Sequence, residues 1–298
     1  MFKVEELKEG NNSFLELMND DASTKAKISL NEGGRLQGLK FNNIPVIKEV
    51  TSFKYENSYA SSVLFPFANR IENGAYSFLE KNYKFPCNEN GGKNALHGLI
   101  FNKEFSVFEK AISTNKCAVT IFYKEEKQSK GFPFTYEIHL TYTLSETVLS
   151  LSVDVKNTDT KSFPFVLGWH PYFFCNNLKE STLIFNSDKK IEFNENLITK
   201  EIIEYRGYSV FKIEDKQLDD CFILKNNTIE FKTPDYQLEI SSTSKENYLQ
   251  MYTPKDLPLI AIEPMTGVSN SFNNKIGLQV LEPKKSYSLT WSVKMNNH

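Results

Sequence analysis

The sequence predicts an all-β protein, a large antiparallel β-sandwich with few short helices, on three observations. Phe, Tyr and Trp make up 13% of the 298 residues, and aromatic side chains are enriched in strands. Several stretches alternate apolar and polar residues with a period of two, which is typical of strands with one buried face. No stretch between them has the period of a long amphipathic helix, so the strands are expected to pair antiparallel and pack face to face.

The clearest element is a predicted hairpin in the middle of the chain. From Phe134 to Leu144 every second residue is aromatic or aliphatic, and the residues between them are polar. Ser145-Glu146-Thr147 is short enough for a turn, and the alternation resumes from Leu149 to Val155. The two runs therefore predict a long antiparallel hairpin.

Further strands are predicted on both sides of this hairpin. Tyr287–Val293 repeats the period of two near the C-terminus. Shorter candidates are Ala26–Leu30, Leu36–Phe41, Cys117–Tyr123, Thr228–Lys232, Tyr236–Ile240, Tyr248–Tyr252 and Leu259–Ile262. No linker, low-complexity tract or internal repeat separates them, so residues 1–298 are expected to form a single domain.

Charge and hydropathy exclude several classes of protein. Lys and Arg total 35 against 37 Asp and Glu, and the basic excess of a nucleic-acid-binding protein is missing. No apolar run approaches the roughly 18 residues that a membrane-spanning helix needs. The first residues, 1–6, lack the apolar core of a signal peptide, so a cytoplasmic protein without nucleic-acid or membrane partners is expected.

The sequence also lacks the common motifs for metals and cofactors. Cys87, Cys117, Cys175 and Cys221 form no CxxC pair, and we expect them to be small buried hydrophobic residues. There is no P-loop and no GxGxxG fingerprint, so no nucleotide cofactor is predicted. Metal ligation by His97 and His170 has no local support because 73 positions separate them.

Three segments break the alternating pattern and place polar residues among aromatic ones. Residues 65–74 contain Asn69 and Arg70, and Arg70 is one of only three arginines in a lysine-rich chain, which favours a role for its planar guanidinium. Residues 94–98 carry His97, and residues 163–174 carry His170 in apolar surroundings that lower an imidazole pKa. The alternatives are a surface salt bridge for Arg70, a solvent-exposed or packed loop histidine for His97, and a satisfied core histidine for His170.

Two acidic segments complete the set of candidates. Asp219 and Asp220 precede a strand-like stretch, where a turn or cap is the alternative. Glu263 ends the apolar run Leu259–Ile262, and burial there raises a carboxyl pKa toward the range of a general base. The alternative is a strand-end glutamate that reaches water. His139 is a weaker candidate, because it lies on a polar strand face and is expected to be solvated. His298, the last residue, is also weaker and is expected to be disordered.

These residue types together favour a sugar-binding site. Hydroxyl groups of a sugar need several polar partners, whereas the C–H faces of a pyranose pack on aromatic rings.

The same segments, in this order, resemble the aldose 1-epimerase (galactose mutarotase-like) family from about Gly33 to Trp291. The matching motifs are Asn69-Arg70-Ile71 with Gly74-Ala75-Tyr76, Leu96-His97-Gly98, Gly168-Trp169-His170-Pro171-Tyr172-Phe173, Leu218-Asp219-Asp220-Cys221-Phe222, and Ile262-Glu263-Pro264-Met265-Thr266-Gly267. The motif around His170 is the most specific of these. The later Glu282-Pro283 resembles the family's turn before its last strand, which makes Glu282 structural.

The resemblance implies the family's large β-sandwich and an isomerase that interconverts the α and β anomers of a free hexose without a cofactor. In this interpretation Glu263 takes the proton of the C1 hydroxyl and His170 protonates the ring oxygen. Arg70, His97 and Asp219 hold sugar hydroxyls, with Asn69 as a further contact. The partner is a monosaccharide, and the oligomeric state, monomer or homodimer, is left open.

Two departures from the galactose mutarotases are expected to flank the sugar site. Leu99 follows Gly98 where those enzymes have a second glycine, and Glu263-Pro264-Met265 replaces E-T-Q. The substrate therefore need not be galactose, although a sugar phosphate would need a cationic pocket. The alternatives are a non-catalytic carbohydrate-binding or sugar-sensing protein, and another sugar enzyme such as a lyase or a two-carboxylate glycosidase.

Overall fold

The computed structural model describes residues 1–207 and 209–296, and the expectation for His298 lies outside these residues. Strands dominate these ranges. In the first part of the chain they are β1 (Phe2–Glu9), β2 (Asn12–Asn19), β3 (Lys25–Ser29), β4 (Leu36–Phe41), β5 (Ile44–Ile47), β6 (Val63–Leu64), β7 (Arg70–Ile71), β8 (Ala75–Phe78), β9 (Lys81–Lys84) and β10 (Ala95–Leu96).

The middle part continues with strands of very different lengths. They are β11 (Ser106–Ile112), β12 (Lys116–Glu125), β13 (Tyr136–Ser145), β14 (Val148–Asn157), β15 (Phe163–Phe165), β16 (Gly168–Trp169), β17 (Tyr172–Phe174), β18 (Thr182–Ile184) and β19 (Lys189–Phe193). The last part holds β20 (Thr199–Glu204), β21 (Val210–Lys212), β22 (Asp219–Ile223), β23 (Thr228–Lys232), β24 (Gln237–Ser242), β25 (Tyr248–Tyr252), β26 (Leu259–Met265), β27 (Gln279–Leu281) and β28 (Ser286–Asn296).

Helices are short and few. The α-helices are α1 (Tyr55–Ser58) and α2 (Ser271–Asn274), and single 3₁₀ turns cover Glu72–Gly74 and Leu178–Glu180. Within the described ranges, the chain forms no helix with the length and apolar character needed to cross a membrane. In the same ranges, no three His, Cys, Asp or Glu side chains group together as a metal site requires.

The strands form three larger sheets, and the paired strands run antiparallel. A five-stranded sheet has the order β1-β2-β3-β4-β5, and a nine-stranded sheet has the order β11-β12-β13-β14-β28-β24-β23-β18-β21. An eight-stranded sheet has the order β20-β19-β22-β25-β26-β16-β6, with β17 also pairing with β26. The predicted all-β, antiparallel fold with few short helices is confirmed.

The predicted central hairpin is present and explains why the chain alternates there. β13 pairs with β14 so that Tyr142 lies opposite Leu151 and Leu140 opposite Val153. These residues are buried, and the polar residues between them lie on the outer face. The predicted C-terminal strand is β28, which lies between β14 and β24 in the nine-stranded sheet.

Contacts between buried aromatic rings join the layers near the segments of interest. Trp169 of β16 stacks on Trp291 of β28, with ring centroids 6.2 Å apart and planes inclined by 23°. Phe65 lies edge-on to Tyr136 at 4.8 Å and to Phe163 at 6.2 Å. The inner faces of the eight-stranded and nine-stranded sheets therefore share one core. Because Phe65 is packed in this core, the start of the loop that follows it is held in place.

One expectation about the cysteines was wrong. Cys117, Cys175 and Cys221 are buried free thiols, as expected for small hydrophobic residues, but Cys87 is exposed. It lies on the loop between β9 and β10, and this loop runs over the surface.

Candidate active site

A two-stranded sheet brings the first two motifs together. Arg70 begins β7 and lies opposite Leu96 of β10, so His97 follows directly beyond the pair. The backbone N–H of His97 donates a hydrogen bond of 2.9 Å to the carbonyl oxygen of Asn69. Asn69 and His97 both have a positive φ, 57° and 59°, which turns the chain at each motif. Two segments 27 positions apart thus present their side chains side by side.

Gly98 allows this arrangement because its backbone lies against that of Phe65. The two residues form an isolated parallel bridge, and the Leu99 N–H donates to the Phe65 carbonyl oxygen at 2.7 Å. Gly98 has a φ of +78°, and a Cβ atom placed there would lie 2.2 Å from that oxygen. No side chain fits without moving the backbone, so the glycine of the Leu-His-Gly motif fixes the position of His97.

Replacing Gly98 by Ala is expected to lower the free energy of unfolding by about 3 kcal/mol, since it adds a steric clash to a strained φ. Chemical denaturation measures the effect. Gly10→Ala is the matched control, because Gly10 also has a positive φ, +62°, but nothing lies within 4 Å of a Cβ there. The control is expected to lose only about 1 kcal/mol. Equal losses in the two variants would contradict the role assigned to the contact with Phe65.

His170 lies between β16 and β17, and both of its backbone groups are held. Its N–H donates to the Ser62 carbonyl oxygen at 3.0 Å, and its carbonyl oxygen accepts from the Ser61 N–H at 2.7 Å. The imidazole stacks on Tyr172 with centroids 4.9 Å apart and meets the His97 ring at right angles at the same distance. The ring therefore has little freedom to rotate out of the site.

Three neighbouring strands of the eight-stranded sheet supply the remaining polar side chains. Asp219 is in β22, Gln250 in β25 and Glu263 in β26, and Gln250 lies directly opposite Glu263. The Gln250 side-chain amide donates to Asp219 Oδ1 at 2.7 Å and accepts from Asn69 Nδ2 at 3.5 Å. Gln250 thus connects the sheet to the first motif.

All six residues proposed from the sequence border one cavity of about 290 Å³. These residues are Asn69, Arg70, His97, His170, Asp219 and Glu263. Aromatic rings of Phe53, Tyr59, Tyr172 and Tyr252 line it as well. The volume lies near the lower limit for small-molecule sites, which suits one small polar ligand better than an oligomer.

Glu263 and His170 form a direct contact in the cavity. Glu263 Oε1 lies 3.4 Å from His170 Nε2, and the residues are only 2% and 5% exposed. Within the part of the chain that the structure describes, Glu263 Oε2 and the Nδ1 atoms of His97 and His170 are buried without a hydrogen-bond partner. Unpaired buried polar atoms are unfavourable, and they are common where a ligand completes the site.

Burial changes the pKa values of these groups in opposite directions. It raises the pKa of Glu263 well above the ordinary 4.5, with the charge of Asp219 adding to the effect and that of Arg70 opposing it. It lowers the pKa of His170 to about 4. Burial, together with His170 and Arg70, also lowers the pKa of His97 well below its ordinary value. The pKa of Asp219 is raised by burial, although Arg70 opposes this.

The structure also shows where the other candidates lie. Arg70 does form a salt bridge, to Glu89, but its side chain is only 16% exposed and also borders the cavity. Asp220 alternates to the other face of β22 and pairs with Lys190. His139 lies outside the cavity, where its ring stacks on Phe122.

The two departures from the galactose mutarotases do not line the cavity. Leu99 borders a separate, largely apolar pocket, which it shares with Phe85 and Phe101. Met265 packs in a buried cluster with Leu64. Neither side chain lines the cavity that holds His170 and Glu263, because Leu99 follows the turn at Gly98 and Met265 is on a fully buried strand end.

The sequence interpretation missed Gln250, and it expected aromatic rings at the site without assigning Phe53, Tyr59 or Tyr252 to it. Gln250 stands between Tyr248 and Tyr252 in a correctly predicted strand, and a polar residue on the same strand face as two aromatic ones is a usable signal. Its pairing with Glu263 depends on the strand register, which the sequence does not reveal.

Comparison with known proteins identifies related sequences and structures. A family model described as aldose 1-epimerase matches residues 15–294. An uncharacterized protein of Escherichia coli K12, YihR, is 28% identical over 248 residues, which are 79% of each chain. A crystal structure of a galactose mutarotase-like protein from Clostridium acetobutylicum has a TM-score of 0.89 at 21% identity, covering 100% of this chain and 99% of that one.

The galactose 1-epimerase from Lactobacillus acidophilus has a TM-score of 0.81 at 16% identity, covering 99% of this chain and 98% of that chain. At such identities the two crystal structures establish the shared fold. The family model spans nearly the whole sequence, and the matched residues include all five motifs. The chain therefore belongs to the aldose 1-epimerase family.

Proposed function

We propose that the protein is a mutarotase, an isomerase that interconverts the α and β anomers of a free hexose. The observation that carries the proposal is the 3.4 Å separation of Glu263 Oε1 and His170 Nε2, two buried residues that line one cavity. In a pyranose, the anomeric hydroxyl oxygen and the ring oxygen are bonded to the same carbon. Two groups this close together can reach both oxygens at once.

The reaction needs only proton transfers and the breaking of one bond. Glu263 takes the proton of the C1 hydroxyl, C1–O5 breaks as the C1 carbonyl forms, and His170 gives a proton to O5. Rotation about C1–C2 turns the other face of the aldehyde toward the C5 hydroxyl. The ring then recloses with the roles reversed, His170 taking the hydroxyl proton and Glu263 giving one to the carbonyl oxygen.

One proton shared by the pair suffices for the whole cycle. Ring opening starts with the proton on His170 and ends with a proton on Glu263. Burial favours this second form, because it raises the pKa of Glu263 and lowers that of His170. The protein environment thus favours the protonation state that accompanies the open-chain aldehyde, while the short contact between the two groups stabilises the charged form that begins the reaction.

The other lining residues suit the recognition of sugar hydroxyls. Arg70, His97, Asp219 and Asn69 supply donors and acceptors on several sides of the cavity, and they would hold the ring against Glu263 and His170. The aromatic rings of Tyr172 and Tyr252 offer apolar surface for the C–H faces of a pyranose.

The charge of the lining favours an uncharged sugar over a sugar phosphate. Arg70 is the single Lys or Arg among the described residues that line the cavity, and Glu89 pairs with it at 2.6 Å. A phosphate group generally needs several cationic or N–H donors with unpaired charge. The proposed substrate is therefore a free hexose.

The rate should depend on pH as a broad bell. The one-proton form of the pair is needed, and it exists between the His170 pKa of about 4 and the raised pKa of Glu263. Below the lower value both groups are protonated and no base remains. Above the upper value both are deprotonated and no acid remains.

This profile is measured as kcat/KM for mutarotation after subtraction of the spontaneous rate at each pH. Activity is expected to fall on the acid side near pH 4 and on the alkaline side well above the ordinary carboxyl pKa of 4.5. Loss of activity on raising the pH through 4.5 would contradict a protonated Glu263 in the working enzyme.

The proposal itself is tested by polarimetry on freshly dissolved α-D-galactose and α-D-glucose. Catalytic amounts of protein are expected to speed the decay of optical rotation to its equilibrium value for at least one of them. Tight binding of either sugar by calorimetry, without any change in the decay rate of any aldose, would instead favour a non-catalytic carbohydrate-binding protein.

A further inference from the structure

A carboxylate outside the cavity holds the arginine that borders it. Glu89, on the loop between β9 and β10, accepts a hydrogen bond of 2.6 Å from Arg70 Nε through Oε1. Its Oε2 accepts from Asn94 Nδ2 at 2.9 Å, and both Glu89 and Arg70 are less than one-fifth exposed. Glu89 does not line the cavity, so it would affect a ligand by holding Arg70 and by its charge rather than by direct contact.

The loop that carries Glu89 is itself tied down. Asn88 makes two hydrogen bonds to the backbone of Leu96, accepting from its N–H at 2.7 Å and donating to its carbonyl oxygen at 3.0 Å. Asn94 accepts from the Asn73 N–H at 3.1 Å. The carboxylate of Glu89 is therefore a fixed partner of Arg70 rather than a mobile surface group.

Two contacts fix the plane of the Arg70 guanidinium. Nε donates to Glu89 and Nη1 donates to Asn69 Oδ1 at 3.1 Å. A guanidinium has five N–H donors, and within the described residues the others have no protein hydrogen-bond acceptor. The Arg70 guanidinium is thus held in one orientation, and its remaining N–H groups are left to donate to a ligand in the cavity.

The same contact also determines the net charge that a ligand meets. Arg70 is the single Lys or Arg in the described lining, and Asp219 contributes a carboxyl group. With Glu89 paired to Arg70, the cavity has no uncompensated positive charge. An Arg without its carboxylate would attract a carboxylate on the ligand instead, because a guanidinium matches that geometry.

We propose that Glu89 is a positioning and specificity-determining residue, which orients Arg70 and cancels its charge so that the cavity selects uncharged aldoses against their uronic acids. This inference rests on the proposed function, in which the cavity binds a free hexose. In so small a cavity, every substituent of a bound monosaccharide lies within roughly one Debye length of Arg70, about 8 Å.

The test compares D-galactose with D-galacturonate, which differ at C6 alone. Replacing Glu89 by Gln keeps the size of the side chain and removes its charge. We expect the ratio of kcat/KM for galacturonate to that for galactose to rise roughly tenfold. We also expect KM for galactose to rise while kcat changes less, because Arg70 loses its fixed orientation.

Three further variants separate charge from folding. Glu89→Ala is a second neutral variant. If only one of Glu89→Gln and Glu89→Ala folds, as judged by thermal unfolding, that variant supplies the ratio of kcat/KM values. Glu89→Asp retains the charge and is expected to keep the ratio near that of the parent protein. Glu49→Gln is the matched control, because Glu49 pairs with Arg35 at 2.6 Å and neither residue lines the cavity.

An unchanged ratio in the neutral variants, or the same change in Glu49→Gln, would overturn the inference. Failure of the proposed function is a different result, the absence of any rate effect of the parent protein on galactose. In that case calorimetric binding of the same two sugars to the parent and to Glu89→Gln measures the ratio without catalysis. An unchanged binding ratio would again overturn the role of Glu89.

Discussion

Replacing Glu263 by Gln is expected to lower kcat for mutarotation by about 10²–10⁴-fold, because the amide cannot take the proton of the C1 hydroxyl. Binding should persist, since Gln has almost the same shape as Glu and burial already disfavours a charge at this position by raising the pKa of Glu263. The fold should also persist, because one of its two carboxyl oxygens has no hydrogen-bond partner among the described residues. Polarimetry gives the rate, and calorimetry gives the affinity for the sugar.

The chain contains a matched control for this variant. Glu282 also precedes a proline, but it is exposed on the turn before β28. Glu282→Gln is expected to leave both kcat and KM unchanged. Normal turnover in Glu263→Gln, or loss of sugar binding together with the rate, would contradict the role of Glu263 as the base.

Replacing His170 by Asn is expected to cause a loss of similar size in kcat, about 10²–10⁴-fold, because the ring oxygen then leaves without a proton donor. A pKa of about 4 makes the protonated imidazole a stronger acid than an ordinary histidine, which favours transfer to the weakly basic ring oxygen. The acid limb of the pH profile near this value should disappear from any residual activity.

His139→Asn is the control for the histidine variant. His139 lies against Phe122 and Phe108 on the outer face of the nine-stranded sheet, away from the cavity. Its replacement should leave the rate and the pH profile unchanged. A His170→Asn protein that turns over normally would refute the assignment of His170 as the proton donor, whatever its stability.

Strands with one buried face were predictable because their physics is local. Side chains alternate between the two sides of a strand, so residues 134–144 and 149–155 reveal their buried face directly. β4, β23 and β25 have the bounds that the sequence predicts. Strands such as β1 and β20 were missed because charged and apolar residues mix on faces that are largely exposed in the structure.

The candidate site was predictable only as a set of motifs. The sequence singles out His170 and Glu263, yet their proximity results from the pairing of β16 and β17 with β26. Glu89 gave no signal, because an acidic residue on a Gly-rich loop is ordinary until its partner is known. The sequence could not show that Leu99 and Met265 lie outside the cavity lining for the same reason, since residues adjacent in the chain can point to opposite sides of the backbone.

The stacked pair of Trp169 and Trp291 gives the molecule an intrinsic optical reporter. The sequence has only two tryptophans, and one of them immediately precedes His170. Because both indoles are buried and in contact, any separation of the two layers beneath the cavity changes their surroundings together. The intrinsic fluorescence of the protein should therefore show whether the two sheets still pack together in a variant that has lost turnover.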